Sequence, residues 1–152
     1  MDHTPLLIVL IEDDDGHATL IRRNLERGRL GAELVRLREG TEALEYLRKQ
    51  FVEDSPHRQI LVLLDIRMQG MDGTDVLRRL KSDPVLRILP VYMLTTTDNP
   101  AEVERCFELG CNAYLTKPVS YEAFCTAIER LTAFLEVSQI PIGPPRQKHA
   151  SA

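Results

Sequence analysis

Apolar residues fall along this chain in two alternating rhythms. Residues 6–11, 60–64 and 89–94 are nearly continuous runs of large apolar side chains, and residues 32–37 and 112–115 are more mixed segments that still favour Leu, Val and Ala. Unbroken apolar runs of this length are how strands buried on both faces read. Between them the spacing changes to one apolar stripe per helix, carried by Leu20, Ile21 and Leu25, then Ala43, Leu44 and Leu47, then Val76, Leu77 and Leu80. A fourth helix opens on Asn99-Pro100-Ala101-Glu102. Here Asn99 can cap, Pro100 has a φ suited to the first turn, Glu102 can close a capping box, and Gly110 can end the helix. A fifth starts near Ser120 and sets Phe124, Ile128, Leu131 and Leu135 on one face. Five repeats of strand then helix predict an α/β fold, a doubly wound five-stranded parallel sheet in a three-layer sandwich. Parallel neighbours need crossover connections, and these are almost always right-handed.

Length and composition narrow this to one domain. A chain of 152 residues with 43% hydrophobic content fills one ordinary core and leaves no room for a second folded module. The domain is expected over residues 1–137, with residues 138–152 as an extended arm, because Pro141, Gly143, Pro144 and Pro145 break any periodicity there. A formal charge of -4 and a pI near 5.6 argue against nucleic acid as a partner, since that normally requires a clustered basic face. The start of the chain has no basic stretch or cleavage site, and no run approaches the ~20 apolar residues a membrane span needs, so a soluble, cytoplasmic protein without membrane contact is expected. Cys106, Cys111 and Cys125 form no CxxC pair and have no His at metal-ligand spacing, and they read as reduced structural thiols.

In doubly wound sheets, ligands bind beyond the carboxyl ends of the strands, near the point where strand order reverses. Glu12-Asp13 follows the first apolar segment, Asp65 ends the third, Thr95-Thr96 follows the fourth and Lys117-Pro118 the fifth, whereas the second is followed only by Arg38, Glu39 and Gly40. Each group is commonplace alone. An acidic cluster before a helix usually caps it, as Asp14 and Asp15 are expected to do, and a lone Asp usually forms a turn. The conjunction points to chemistry. Glu12, Asp13 and Asp65 on one mouth repel one another unless a cation or protons intervene, and hard oxygen ligands in this number suit Mg²⁺. A carboxylate beside Mg²⁺ can attack a phosphoryl group to give an acyl phosphate. The transferred group spreads charge over three oxygens, which the metal, the Lys117 ammonium, and the Thr95 hydroxyl or the Thr96 N–H can receive.

Four segments then carry a resemblance. They are Leu6-Leu7-Ile8-Val9-Leu10-Ile11-Glu12-Asp13-Asp14, then Leu61-Val62-Leu63-Leu64-Asp65-Ile66-Arg67-Met68 followed by Gly70-Met71-Asp72-Gly73, then Tyr92-Met93-Leu94-Thr95-Thr96, and Gly110-Cys111-Asn112-Ala113-Tyr114-Leu115-Thr116-Lys117-Pro118. In order and spacing they resemble the receiver domain of bacterial two-component response regulators over residues 6–135. The resemblance implies the flavodoxin-like (CheY-like) version of the predicted sandwich. It also implies a phosphorelay in which a histidine kinase presents phosphohistidine and the receiver itself catalyses transfer to Asp65 with Mg²⁺, and later the loss of the phosphoryl group. It implies that Asp13 and Asp65 bind the metal by carboxylate, Arg67 by its backbone carbonyl, and Glu12 through water. Lys117 would pair with the phosphate or, in its absence, with Asp65. Thr95 would move toward the phosphoryl oxygen, with Tyr114 turning into the space it leaves, and the Lys117-Pro118 bond would be cis.

Two positions depart from the family pattern. Arg67 stands where a small or polar residue such as Asn is common, and its long cation could lean over the phosphoryl group and alter its lifetime. Gln69 replaces a usual Pro, which leaves the loop less pre-set in φ. With no further domain after Leu135, the output is expected at the surface of the fourth helix, fifth strand and fifth helix. The longer segment 49–59 and the Thr95-Thr96-Thr97-Asp98-Asn99-Pro100 stretch resemble single-domain regulators paired with bacterial phytochrome kinases, some of which form homodimers. Phe134, Leu135, Val137 and Ile140 either provide such a dimer edge or fold back on their own core. The enzyme-class alternative is a phosphohydrolase of the haloacid-dehalogenase type. It needs its nucleophile in a DxD near the first strand and its acidic pair last, the reverse of the order found here. A nucleotide-binding reading needs glycines after the first strand, where this chain has Glu12-Asp13-Asp14-Asp15.

Overall fold

The computed structural model of the protein describes residues 5–54, 58–138 and 140. Strands β1 (Leu7–Ile11), β2 (Glu33–Leu37), β3 (Ile60–Leu64), β4 (Val91–Thr95) and β5 (Ala113–Thr116) form one parallel sheet in the order β2-β1-β3-β4-β5. Helices α1 (Asp15–Arg27), α2 (Gly40–Arg48), α3 (Gly73–Ser82), α4 (Pro100–Leu109) and α5 (Tyr121–Val137) connect them. This is the predicted doubly wound sandwich. The strand order reverses between β1 and β3, so the mouth above those two strands is the place where a ligand is expected.

Alternation along the strands assigns the two faces. Leu7, Val9 and Ile11 of β1 join Ile60, Val62 and Leu64 of β3 in a core shared with Ala43, Leu47, Val76, Leu77, Leu80 and Cys106, which puts α2, α3 and α4 on that face. Ile8 and Leu10, with Leu61 and Leu63, meet Ala18, Ile21, Phe124, Ile128 and Leu131 from α1 and α5 on the other. Both faces of β1 and β3 are therefore buried, which is why these strands read as unbroken apolar runs.

The helix starts follow the capping chemistry of the sequence. Asp14 accepts from the His17 N–H at 2.9 Å, Asp72 from the Thr74 N–H at 2.8 Å, and Asn99 from the Ala101 N–H at 2.9 Å. Gly110 ends α4 at φ 105°, a left-handed conformation that glycine adopts without a Cβ penalty. Glu102 departs from the expected capping box: its carboxylate takes the Thr97 hydroxyl, and the Asn99 N–H turns to Thr97 Oγ1 at 3.4 Å.

Three other features differ from expectation or go beyond it. The fourth strand begins at Val91 instead of position 89, because Leu86–Ile88 forms a 3₁₀ turn that Leu89 closes by donating to Leu86 O at 3.0 Å. The long segment after α2 continues as a π-helical turn over Lys49–Asp54, which plants Phe51 in the core at 0% exposure. The Lys117-Pro118 bond is trans, as every described peptide bond is, in contrast to the expected cis form. An X–Pro amide favours trans by about 0.5–1 kcal/mol.

Past α5 the chain turns back. Ile140 packs on the α1/α5 core and its carbonyl accepts from Gln59 Nε2 at 2.8 Å. Leu135 is buried, whereas Phe134 and Val137 are 56% and 80% exposed, so the apolar edge divides between core and surface. Most of the expected arm, residues 139 and 141–152, lies outside the described residues. No described helix is long and apolar enough to cross a membrane.

Candidate functional site

Each side chain of the site is delivered by the end of a strand. β1 and β3 stop level with one another, because Ile11 pairs with Leu64, and the Asp65 N–H donates to Ile11 O at 3.1 Å. Glu12, Asp13 and Asp65 thus emerge side by side, each with an oxygen within 4.8 Å of the others. On the far side of β3, the Lys117 N–H donates to Thr95 O at 2.6 Å and ties the ends of β4 and β5 together. The Gln69 N–H donates to Asp13 Oδ2 at 3.2 Å, which draws the loop containing Arg67 beside the acidic cluster.

The centre of the site is buried. Lys117 is 3% exposed, lies 3.2 Å from Asp65 Oδ2 and also contacts Glu12 Oε1. Burial lifts the Glu12 carboxyl from 4.5 to about 8, reinforced by its hydrogen bond with Asp65 and opposed by Lys117. Burial acts the same way on Asp65, yet the hydrogen bond from Glu12 and the Lys117 ammonium outweigh it and hold that carboxyl below its ordinary range. Glu12 and Asp65 are therefore pushed in opposite directions, Glu12 toward the protonated form and Asp65 toward the anion, with the Lys117 ammonium between them. Of the buried oxygens here, Thr95 Oγ1 has no hydrogen-bond partner among the described residues, and Glu12 Oε2 has none beyond the proton that Glu12 shares with Asp65. Such atoms are costly inside a protein unless an incoming group completes them.

These unsatisfied atoms test the fit of a metal and a phosphoryl group. The donor set is all oxygen, as Mg²⁺ requires, and Glu12, Asp13 and Asp65 form a cluster whose crowding a cation would relieve. The fully buried Thr95 hydroxyl is free to donate, and Lys117 stands between the acidic pair and Asp65. The set fits both groups.

The remaining expected residues lie around this centre. Thr96 is exposed at the end of β4. Tyr114 is half-buried, and its hydroxyl donates to Thr97 O at 2.6 Å, while burial pushes its phenol to about 12. Arg67 does not lean over Asp65: it is 69% exposed and reaches across to Glu102 on α4, at 3.5 Å. Asp15 takes Arg36 at 2.8 Å and Arg38 at 2.6 Å, so it both starts α1 and anchors the end of β2. One contact was not foreseen from sequence. His17 Nδ1 lies 3.2 Å from Lys117 Nζ and 3.3 Å from Glu12 Oε1. Its position on α1, one turn past the acidic loop, was the signal available.

The comparisons with known proteins agree with this geometry. A family model described as the response regulator receiver domain matches residues 8–129. The response regulator Rcp1 of Synechocystis is 33% identical over 138 residues, covering 90% of this chain and 94% of its own, and its solved Mn²⁺-bound form has a TM-score of 0.82. A receiver domain from Rhodospirillum rubrum is 43% identical with a TM-score of 0.82, covering 91% of this chain and 99% of its own. The phosphorylated cyanobacterial phytochrome response regulator RcpA is 30% identical, with the same coverage and a TM-score of 0.82.

Proposed function

The chain belongs to the response regulator receiver family of two-component phosphorelays, and from this premise we propose that Asp65 is its phosphoryl acceptor and that the chain itself catalyses the transfer. Membership makes it a phosphoacceptor that works with a histidine kinase and decides against the phosphohydrolase alternative. The observation that carries the site assignment is the pairing of an ionised, buried Asp65 with Lys117 at 3.2 Å beside the unpartnered Thr95 hydroxyl.

In the proposed step, an Asp65 carboxylate oxygen attacks phosphorus, forming a P–O bond as the P–N bond to the kinase imidazole breaks. The electron pair stays on that imidazole nitrogen, which takes up a proton. Asp13, Asp65, Glu12 through water and the Arg67 carbonyl would hold Mg²⁺, which when bound neutralises charge on the transferring oxygens. Lys117 exchanges its contact with Asp65 for a phosphoryl oxygen, while the Thr95 hydroxyl and the Thr96 N–H donate to others. As Thr95 moves toward the phosphoryl group, Tyr114 leaves Thr97 and turns inward. This changes the surface of α4, β5 and α5, which we assign as the output face.

The partner we propose is a bacteriophytochrome kinase, supported by the phytochrome regulators among the similar proteins. We take residues 1–137 as the receiver and 138–152 as a C-terminal extension, and a second copy as the partner of the exposed Phe134 and Val137 on α5. The test is incubation with Mg²⁺ and acetyl phosphate. One phosphoryl group should be added to the wild type and none to Asp65→Asn, and full labelling of that variant would overturn the assignment.

A further inference from the structure

A lysine ammonium has three hydrogens to donate and no acceptor. Buried Lys117 finds three partners: Glu12 Oε1, Asp65 Oδ2 at 3.2 Å and His17 Nδ1 at 3.2 Å. The first two belong to the acidic cluster, whereas His17 does not. Because Lys117 can only donate, this contact is a hydrogen bond in the tautomer with the lone pair on Nδ1 and the hydrogen on Nε2, whereas the other tautomer would point an Nδ1–H at Glu12 Oε1, 3.3 Å away.

The ring is fixed from two directions. Its backbone N–H donates to Asp14 at the start of α1, and the imidazole stacks on Phe124 of α5 with centroids 5.8 Å apart and planes 20° apart. Asp14 Oδ1 lies farther off, at 4.0 Å from Nδ1. An imidazole clamped between two helices therefore offers a rigid acceptor to a flexible four-carbon amine.

We propose that His17 is a positioning residue for phosphoryl transfer, holding the third hydrogen of the Lys117 ammonium so that Nζ stays aimed at Asp65. The inference rests on the reading of Asp65 as acceptor. When the phosphoryl group arrives, Asp65 becomes an acyl phosphate, and Glu12 would serve the cation through water, so two of the three partners of Lys117 would be exchanged. His17 remains. Without it the ammonium has a buried donor to satisfy elsewhere and its stem is free to swing away from the transferring oxygens.

Two substitutions separate the acceptor from the ring. His17→Phe keeps the stack on Phe124 and removes the acceptor, whereas His17→Asn keeps an acceptor near the position of Nδ1 and removes the ring. Acyl-phosphate formation from acetyl phosphate at saturating Mg²⁺ should slow about tenfold in His17→Phe, the worth of one hydrogen bond to a charged group, and stay within about threefold of wild type in His17→Asn. The ¹⁵N–¹H signal of the Lys117 ammonium, read without phosphodonor, should broaden or vanish in His17→Phe and persist in His17→Asn. A His17→Phe protein with wild-type rate and an unmoved Lys117 signal overturns the proposal, as does equal loss in both variants. If wild type takes up no phosphoryl group while the Lys117 signal responds as stated, the acceptor reading fails and the hold of His17 on Lys117 stands.

Discussion

The main chain of Gly73 lies directly against Asp65: a Cβ on Gly73 would stand 1.9 Å from the Asp65 carbonyl oxygen and 2.7 Å from the Ile66 Cα. The Gly73 N–H also donates to Ile66 O at 2.8 Å, so the start of α3 is bolted to the residue after the acceptor. A side chain here meets backbone, which cannot rotate aside, and overpacking of this kind costs about 1–3 kcal/mol. Gly73→Ala should therefore lower the unfolding free energy measured in urea by that amount and, in the folded fraction, slow phosphorylation of Asp65 about tenfold by displacing its carboxylate from Lys117. Wild-type stability together with wild-type labelling would show that the loop has slack and that the acceptor is held by other contacts.

The Glu12 proton makes stability depend on pH. Its carboxyl titrates at about 8 in the folded protein against 4.5 ordinarily, so between these values the folded chain holds a proton that the unfolded chain has released. That contribution is fully present below about pH 4.5 and is lost as pH rises through about 8. Asp65 is shifted downward from 3.8, so its own contribution changes only below that value, outside this window. In EDTA the urea midpoint should fall between pH 5 and pH 8.5, and Glu12→Gln should flatten that slope. Mg²⁺ affinity, measured by calorimetry, should rise with pH over the same range because the metal displaces the proton. An unchanged pH slope in Glu12→Gln would remove Glu12 from this role.

The strand ends carried most of this legibility. Glu12, Asp13, Asp65, Thr95 and Lys117 could be placed because each follows an apolar run, and a parallel sheet brings such ends to one mouth whatever the details of packing. His17 was not legible, since its contact with Lys117 joins residues 100 apart through the docking of α1 on α5. Glu102 misled for a related reason: a local capping pattern predicted a bond to Asn99, but the β4–α4 loop folds so that Thr97 and Arg67 take that carboxylate instead. Local chemistry at an element's start was readable, whereas side chains that choose between two neighbours were not.

The Arg67–Glu102 pair bears on the lifetime of the acyl phosphate. Glu102 draws the guanidinium toward α4 at 3.5 Å, and at 69% exposure this is a weak, solvent-screened contact that a phosphoryl dianion on Asp65 can break. An arginine swung over the phosphoryl group would shield it from attacking water. Arg67→Asn should therefore shorten the half-life of phosphorylated Asp65 several-fold, and Glu102→Ala, which releases the arginine, should lengthen it. Both are read from loss of label after removal of phosphodonor. Unchanged decay in both variants would mean that Arg67 never reaches the phosphoryl group.

The exposed face of α5 gives the last prediction. Phe134 and Val137 are 56% and 80% exposed and lie three residues apart on one helix face, and Phe134 borders an apolar groove with Tyr92, Ala113, Leu115 and Leu131. Single exposed apolar residues are ordinary, but a neighbouring pair beside an apolar groove is the composition of a contact surface. Leu135 and Ile140 are engaged with the chain's own core, so truncation there would damage the fold as well as the surface. Substitution of the two exposed positions avoids this. Phe134→Ser with Val137→Ser should leave the unfolding free energy measured in urea within about 0.5 kcal/mol of wild type, as surface changes do. The same variant should lower the molar mass measured by light scattering from that of two chains to that of one. A wild-type protein that stays monomeric at high concentration, with and without acetyl phosphate, would remove this face as a dimer contact.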